Sequence, residues 1–264
     1  GYCFEVPAKE SIGLTKPVAL KAMGRFRHEA IAIHPSSGAV YLTEDRSDGC
    51  LYRFLPKTPG KLADGGRLQA LKVTGRQAKS TRNWPNEERF PQNERLPVEW
   101  IDLEDVESPN DDLRLQAQKK GAIQFSRGEG MWYGSEDEVF EESIYFVCTD
   151  GGQNQNGQVF RYFPAENEGE GAGELELFLE PNDTALLTKG DNICLSPWGD
   201  LFICEDSKNH NHIRGVNQSG EMYTFARNVK DKSEFAGACI SPDGKTMFVN
   251  IQTPGATYAI TGPF

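Results

Sequence analysis

The chain has 264 residues and a formal net charge of -11 at pH 7, from 28 Lys and Arg against 39 Asp and Glu. That balance argues against nucleic acid as partner, because binding to a phosphate backbone rests on Lys and Arg neutralising charge. Hydrophobic residues make up 38% of the sequence, enough for a core of one or two domains, and no apolar run approaches the roughly 18 residues of a bilayer helix.

The chain opens GYCFEVPA, without an initiator Met. This stretch resembles the third strands described below in having Gly, an aromatic residue and a closing Pro. The expectation is a chain that starts two strands into a repeat and lacks an N-terminal portion. The alternative is a small complete repeat fold closed by this strand.

Four segments then share one layout: AIAIHPSSGAVYLTEDRSDGCLYRFLP from Ala30, ESIYFVCTDGGQNQNGQVFRYFP from Glu142, ICLSPWGDLFICEDSKNHNHIRGVN from Ile193 and ACISPDGKTMFVNIQTPGATYAI from Ala238. Three of them read as an apolar strand, a Pro and Gly turn, a second apolar strand ending near acid or amide, a polar loop and a third strand. The turns HPSSG, SPWG and SPDG are hairpin signals, since Pro presets one φ and Gly accepts the positive φ of a tight turn. Three to four strands per repeat is blade-like. The predicted fold is therefore all-β, a β-propeller with about four blades visible, in one domain over residues 1–264. Residues 59–121, with NWPNEERFPQNER, VEWIDL and a helical stretch over Pro109 to Lys120, read as an insertion that decorates the surface. The ENEGEGAGE run near Gly169 reads as a solvated turn. The six cysteines show no CxxC and lie mostly in apolar runs, as small buried hydrophobes do.

Each repeat carries an acid before its first turn: Glu29 in GRFRHEA, Glu129 in SRGEGMWY, Asp191 in KGDNICLSP and Glu234 in SEFAGACISP. Read as equivalent positions at the start of the inner strands, they converge on one axis. Carboxylates gathered there repel one another unless cations neutralise them, and their oxygens suit hard cations such as Ca²⁺, Mg²⁺ or oxo-bridged Fe³⁺. The second strands end in Glu44 with Asp45, Asp150, and Glu205 with Asp206, which are either further ligands or turn formers. Arg127 stands two residues before Glu129 and Arg25 stands near Glu29 with His28. A guanidinium here either holds phosphate in its fork or pairs with its neighbouring acid. His34 precedes a turn proline, and His210 and His212 fall in a polar loop. No Gly-x-Ser-x-Gly, Walker or dinucleotide motif appears.

GRFRHEA, VYLTEDR, LYRFLP, RGEG, DNICLSPWGDLFICED and EFAGACISPDGKTMFVNIQTPG, in that order, resemble the PhoX-type alkaline phosphatases, with residues 59–121 matching poorly. The resemblance implies a propeller of about six blades that hydrolyses phosphate monoesters with an iron and calcium cluster. It also implies export to the periplasm or beyond by the twin-arginine route. It implies Glu29 and Glu129 as metal ligands and Arg127 as the phosphate contact, with Asp191, Glu205, Asp206 and Glu234 as further ligands. The expected cofactors are Ca²⁺ and Fe³⁺, and the expected partner is a small phosphomonoester bound by a monomer. One departure stands out: nothing here matches the whole of the family's NC-x-GG-x-TPWG stretch, whose Cys binds iron, and DNICLSPWG sets Asp191 where that Cys would align, so the Cys is expected either in an N-terminal portion or not at all. Two other functions compete, a calcium-dependent propeller lactonase and a non-catalytic binding propeller.

Overall fold

In a computed structural model, which describes residues 1–76, 79–139 and 141–264, the chain folds into sixteen strands and one α-helix. The first blade is β1 (His28–Ile33), β2 (Val40–Glu44), β3 (Tyr52–Pro56) and β4 (Gly66–Val73), and β5 (Arg95–Asp102) follows it. After the helix α1 (Leu113–Lys119) comes the second blade, β6 (Gly128–Gly134), β7 (Ser143–Cys148), β8 (Gln158–Phe163) and β9 (Glu174–Leu179). The third is β10 (Gly190–Leu195), β11 (Leu201–Glu205), β12 (His212–Val216) and β13 (Met222–Arg227), and the fourth is β14 (Phe235–Ile240), β15 (Thr246–Ile251) and β16 (Ala256–Thr261).

Within each blade successive strands pair antiparallel, and the inner strands β1, β6, β10 and β14 lie side by side in that order. The Pro and Gly turns take the geometry their residues favour. Gly38, Gly199 and Gly244 have φ of 72°, 91° and 69°, and each hairpin is closed by a backbone bond, such as Ser196 N–H to Asp200 O at 2.9 Å. The second strands are buried at every position in β2, β7 and β11. Each lies inside a blade covered on both faces, which is why VYLTE, SIYFVC and LFICE read as near-continuous apolar runs rather than alternating ones. Between the first two blades, the rings of Phe125, Phe146 and Phe160 pack with centroids 5.2–5.3 Å apart. Each such burial is worth about 1.5–3 kcal/mol.

Three expectations are corrected. GYCFEVPA forms no third strand: residues 1–18 contribute no strand, and their one β pairing is an isolated bridge from Phe4 to Ala19. The 59–121 stretch is not surface decoration. It supplies β4, the outer strand of the first blade, and β5, which pairs with β4 on one side and β9 on the other and so joins two blades into one nine-stranded sheet. The turn near Gly169 is not simply solvated, because Glu168 is 2% exposed. It accepts hydrogen bonds from Tyr41 Oη and Arg53 Nη1, each at 2.6 Å, and from Tyr162 Oη at 2.9 Å. That satisfies a charge which would otherwise be costly to bury.

The cysteines match expectation in part. Cys50, Cys148, Cys194 and Cys204 are buried, whereas Cys239 is exposed. Among the described residues no helix is long and apolar enough to cross a membrane.

Candidate active site

The site is built by an irregularity repeated at the start of every inner strand. His28 pairs with Glu44, Gly128 with Cys148, Gly190 with Glu205 and Phe235 with Ile251, and within the next three residues each inner strand gains one residue on its partner. Bulges of this kind re-aim side chains. Here they hold Glu29, Glu129 and Asp191, the residues directly after His28, Gly128 and Gly190.

The same register corrects the fourth acid. The position equivalent to Glu29, Glu129 and Asp191 in β14 is Ala236, not Glu234. Glu234 is instead equivalent to Arg27, Arg127 and Lys189. The carbonyls of these four residues accept the backbone N–H of Asp45, Thr149, Asp206 and Gln252 at 2.8–3.3 Å. Two of the four, Arg127 and Lys189, have left-handed backbone with φ of 54° and 56°. Non-glycine residues rarely adopt this conformation, and it tends to occur at functional sites.

Side chains at these positions meet across blade boundaries. Arg127 Nε donates to Asp45 Oδ1 at 2.7 Å, and its Nη2 donates to Glu129 Oε1, also at 2.7 Å. Lys189 pairs with Asp150. The third boundary breaks the pattern: Glu234 meets Asp206, acid against acid.

The electrostatics record this crowding. Burial pushes the Glu129 carboxyl up to about 10, with Asp191, Asp45 and Glu29 adding repulsion that Arg127 only partly offsets. Asp191 is raised to about 6 by burial and then by Asp206 and Glu29. Glu234 is raised to about 8 by its hydrogen bond to Asp206, then by burial. Glu29 is raised by burial and by Asp45. Burial works against the Arg127 charge, but its bonds to Asp45 outweigh that and hold it firmly protonated. Glu29, Asp45, Glu129, Asp191, Asp206, Glu234 and Arg127 therefore share one field. Among the described residues, no three His, Cys, Asp or Glu side chains are arranged closely enough to hold a metal ion.

Other sequence candidates lie apart. Glu205 is fully buried and engaged within its own blade, accepting from Thr188 N, His212 N and Arg214 Nε at 2.8–3.0 Å. It anchors β12 and does not reach the axis. Glu44, its counterpart in the first blade, accepts from Cys50 N and Tyr52 Oη. His212 bonds Glu205 rather than pairing with the exposed His210. His28 turns away from Glu29, with Nε2 on Gly24 O at 3.0 Å and Nδ1 facing Cys3 Sγ at 3.4 Å. His34 lies against Ser37 and Glu142. Arg25 bonds the Val106 carbonyl through its backbone. Lys189 was not singled out by the sequence, although it stands two residues before Asp191 as Arg127 stands before Glu129.

Among solved structures, the chain is similar to Pseudomonas fluorescens PhoX in complex with vanadate, a transition state analogue, with a TM-score of 0.72 at 19% identity. The match covers 94% of this chain and 55% of that one, so the chain spans about half the length of that relative, whose β-propeller fold it shares. A protein from Lactobacillus plantarum matches at a TM-score of 0.34 and 11% identity, covering 88% of this chain and 69% of that one. At that level the likeness carries no argument. No curated protein matches the sequence. The profile of alkaline phosphatase PhoX matches residues 1–255, and the chain belongs to that family.

Proposed function

We propose that this chain carries the axial site of a metal-dependent phosphatase acting on small phosphate monoesters. The observation that carries the reading is the convergence of four carboxyls with raised proton affinity, Glu29, Glu129, Asp191 and Glu234, on one guanidinium, Arg127. Crowded like charges of this kind, with Glu129 buried, Asp191 and Glu234 half-buried and Glu29 exposed, are poor structural elements and good cation hosts. Membership of the family and the vanadate bound to the P. fluorescens relative support phosphoryl chemistry.

The donor chemistry suits hard cations, since every candidate ligand offers carboxylate oxygen, and sharing one ion requires these side chains to draw closer than they stand here. Glu29, Glu129, Asp191, Asp206 and Glu234 would hold them, with Ca²⁺ and Fe³⁺ the proposed ions. Bound there, such ions supply Lewis-acid neutralisation of phosphoryl charge. Glu205, committed to Arg214 and His212, is left out of the ligand set.

Arg127 binds the phosphoryl oxygens through its planar fork and stabilises charge that develops as an oxygen nucleophile attacks phosphorus and the ester oxygen departs with a proton. Asp45 holds Arg127 by Nε, which fixes the plane of the fork. The left-handed backbone at Arg127 sets the direction from which the side chain enters. Export of the protein follows the family's habit and is part of the same reading. No observation favours the lactonase or the non-catalytic module.

The test is hydrolysis of a chromogenic phosphomonoester with and without a chelator. Turnover that is lost on chelation and restored by Ca²⁺ with Fe³⁺ supports the reading, and turnover indifferent to chelation overturns it.

A further inference from the structure

Arg127 has a counterpart one blade on. Lys189 occupies the equivalent place directly before β10, its carbonyl accepts the equivalent backbone bond, and its φ of 56° nearly repeats the 54° of Arg127. Each precedes an axial acid by two residues, Glu129 in one case and Asp191 in the other. Each is paired with an aspartate from the blade before it, Arg127 with Asp45 and Lys189 with Asp150. Two non-glycine residues in the same disfavoured backbone conformation at the same repeat position point to one shared use, because nothing in a blade's hydrogen bonding requires it: Glu234 fills that position in the fourth blade without positive φ.

The support around Lys189 is elaborate for a simple surface pair. Asp150 lies within electrostatic reach of Arg127 as well, so one carboxylate spaces two cations. The Asp150 carbonyl accepts the Trp84 indole N–H at 2.7 Å, and the Arg82 guanidinium stacks 4.2 Å over the Trp84 ring. Arg82 O in turn accepts from Gly152 N at 2.8 Å. The Arg82–Trp84 segment therefore buttresses the turn that presents Asp150. The Lys189 side chain remains 32% exposed, and an ammonium engaged by one carboxylate keeps donors for another anion.

We propose that Lys189 is a second substrate contact that reads a further negative charge on the phosphoester, so that substrates with an anionic leaving group, such as bisphosphates, are selected. This rests on the phosphatase reading above. Arg127 takes the phosphoryl group to be cleaved and Lys189, on the neighbouring blade, takes the second anion. Asp150 is the positioning residue for Lys189, and Trp84 acts through Asp150.

The test compares glucose 1,6-bisphosphate with glucose 6-phosphate, a pair that differs by one phosphate, on the wild type, Lys189→Gln and Lys189→Arg. The readout is the ratio of kcat/KM for the two sugars. The wild type should favour the bisphosphate by about tenfold, as a charge-assisted contact allows. Lys189→Gln should bring the ratio close to one, and Lys189→Arg should keep most of it. An unchanged ratio in Lys189→Gln overturns the proposal, as does an equal loss on both substrates. Calorimetric binding of the same two sugars, run alongside, applies the same criterion without turnover. Selective binding without hydrolysis would retain Lys189 and count against the phosphatase reading alone.

Discussion

Arg127 Nε lies 2.7 Å from Asp45 Oδ1, a bond between the second blade and the first that also leaves Nη2 on Glu129 at 2.7 Å. One guanidinium thus ties a blade boundary to the axial acids. Replacing Arg127 by Ala should lower kcat/KM for a phosphomonoester by roughly 10²–10³-fold, the usual cost of losing a donor to developing charge. Arg127→Lys should recover little, because a point charge cannot reproduce the planar fork. Steady-state kinetics check this, and full recovery by Lys would reduce Arg127 to a charge.

The metal-free protein should lose stability as pH rises. Glu129 at about 10, Glu234 at about 8 and Asp191 at about 6 all bind protons more tightly folded than unfolded. Raised carboxyls contribute stability that is complete below about pH 4 and is withdrawn as pH climbs through each folded value. Thermal melts in chelator should therefore give a lower Tm at pH 9 than at pH 5.5. Millimolar Ca²⁺ should close most of the gap at pH 9. A Tm that rises with pH would refute the crowding on which the site rests.

Glu234→Gln isolates one contact in that field. It removes the acid that faces Asp206, so the fall in Tm between pH 6 and 9 should become shallower. Affinity for Ca²⁺, followed by calorimetry, should weaken by about tenfold, as expected when a charged ligand becomes neutral. An unaltered pH profile would place Glu234 outside the cluster.

Glu205→Ala should behave differently from every axial acid. Glu205 is 0% exposed and bonded to Arg214 and His212, so its removal leaves a buried guanidinium unpaired and should cost about 3–5 kcal/mol of folding stability. Denaturant unfolding measures the loss. Metal content per folded molecule should match the wild type, and a selective loss of metal would return Glu205 to the ligand set.

The sequence carried the blades because local chemistry specifies them: Pro and Gly at the hairpins and unbroken apolar second strands are readable without tertiary information. The place of the fourth inner-strand residue is readable from its spacing to the turn proline. Counting six residues back from Pro35 and Pro197 reaches Glu29 and Asp191, while six back from Pro242 reaches Ala236, not Glu234. The bulges that fix this register depend on pairing between strands and leave no local residue signature. The part played by β4 and β5 was hidden in a polar context, since β5 exposes alternate residues and is recognised by the two strands it joins. Lys189 was legible in principle through its spacing to Asp191, but its likeness to Arg127 is a matter of backbone geometry.

Elemental analysis of desalted wild-type and Glu129→Gln protein tests the central claim most directly. The account predicts metal retained by the wild type at one ion or more per chain, with a clear fall in the variant. Wild-type protein that retains no metal after loading with Ca²⁺ and Fe³⁺, or equal metal in both proteins, would contradict it.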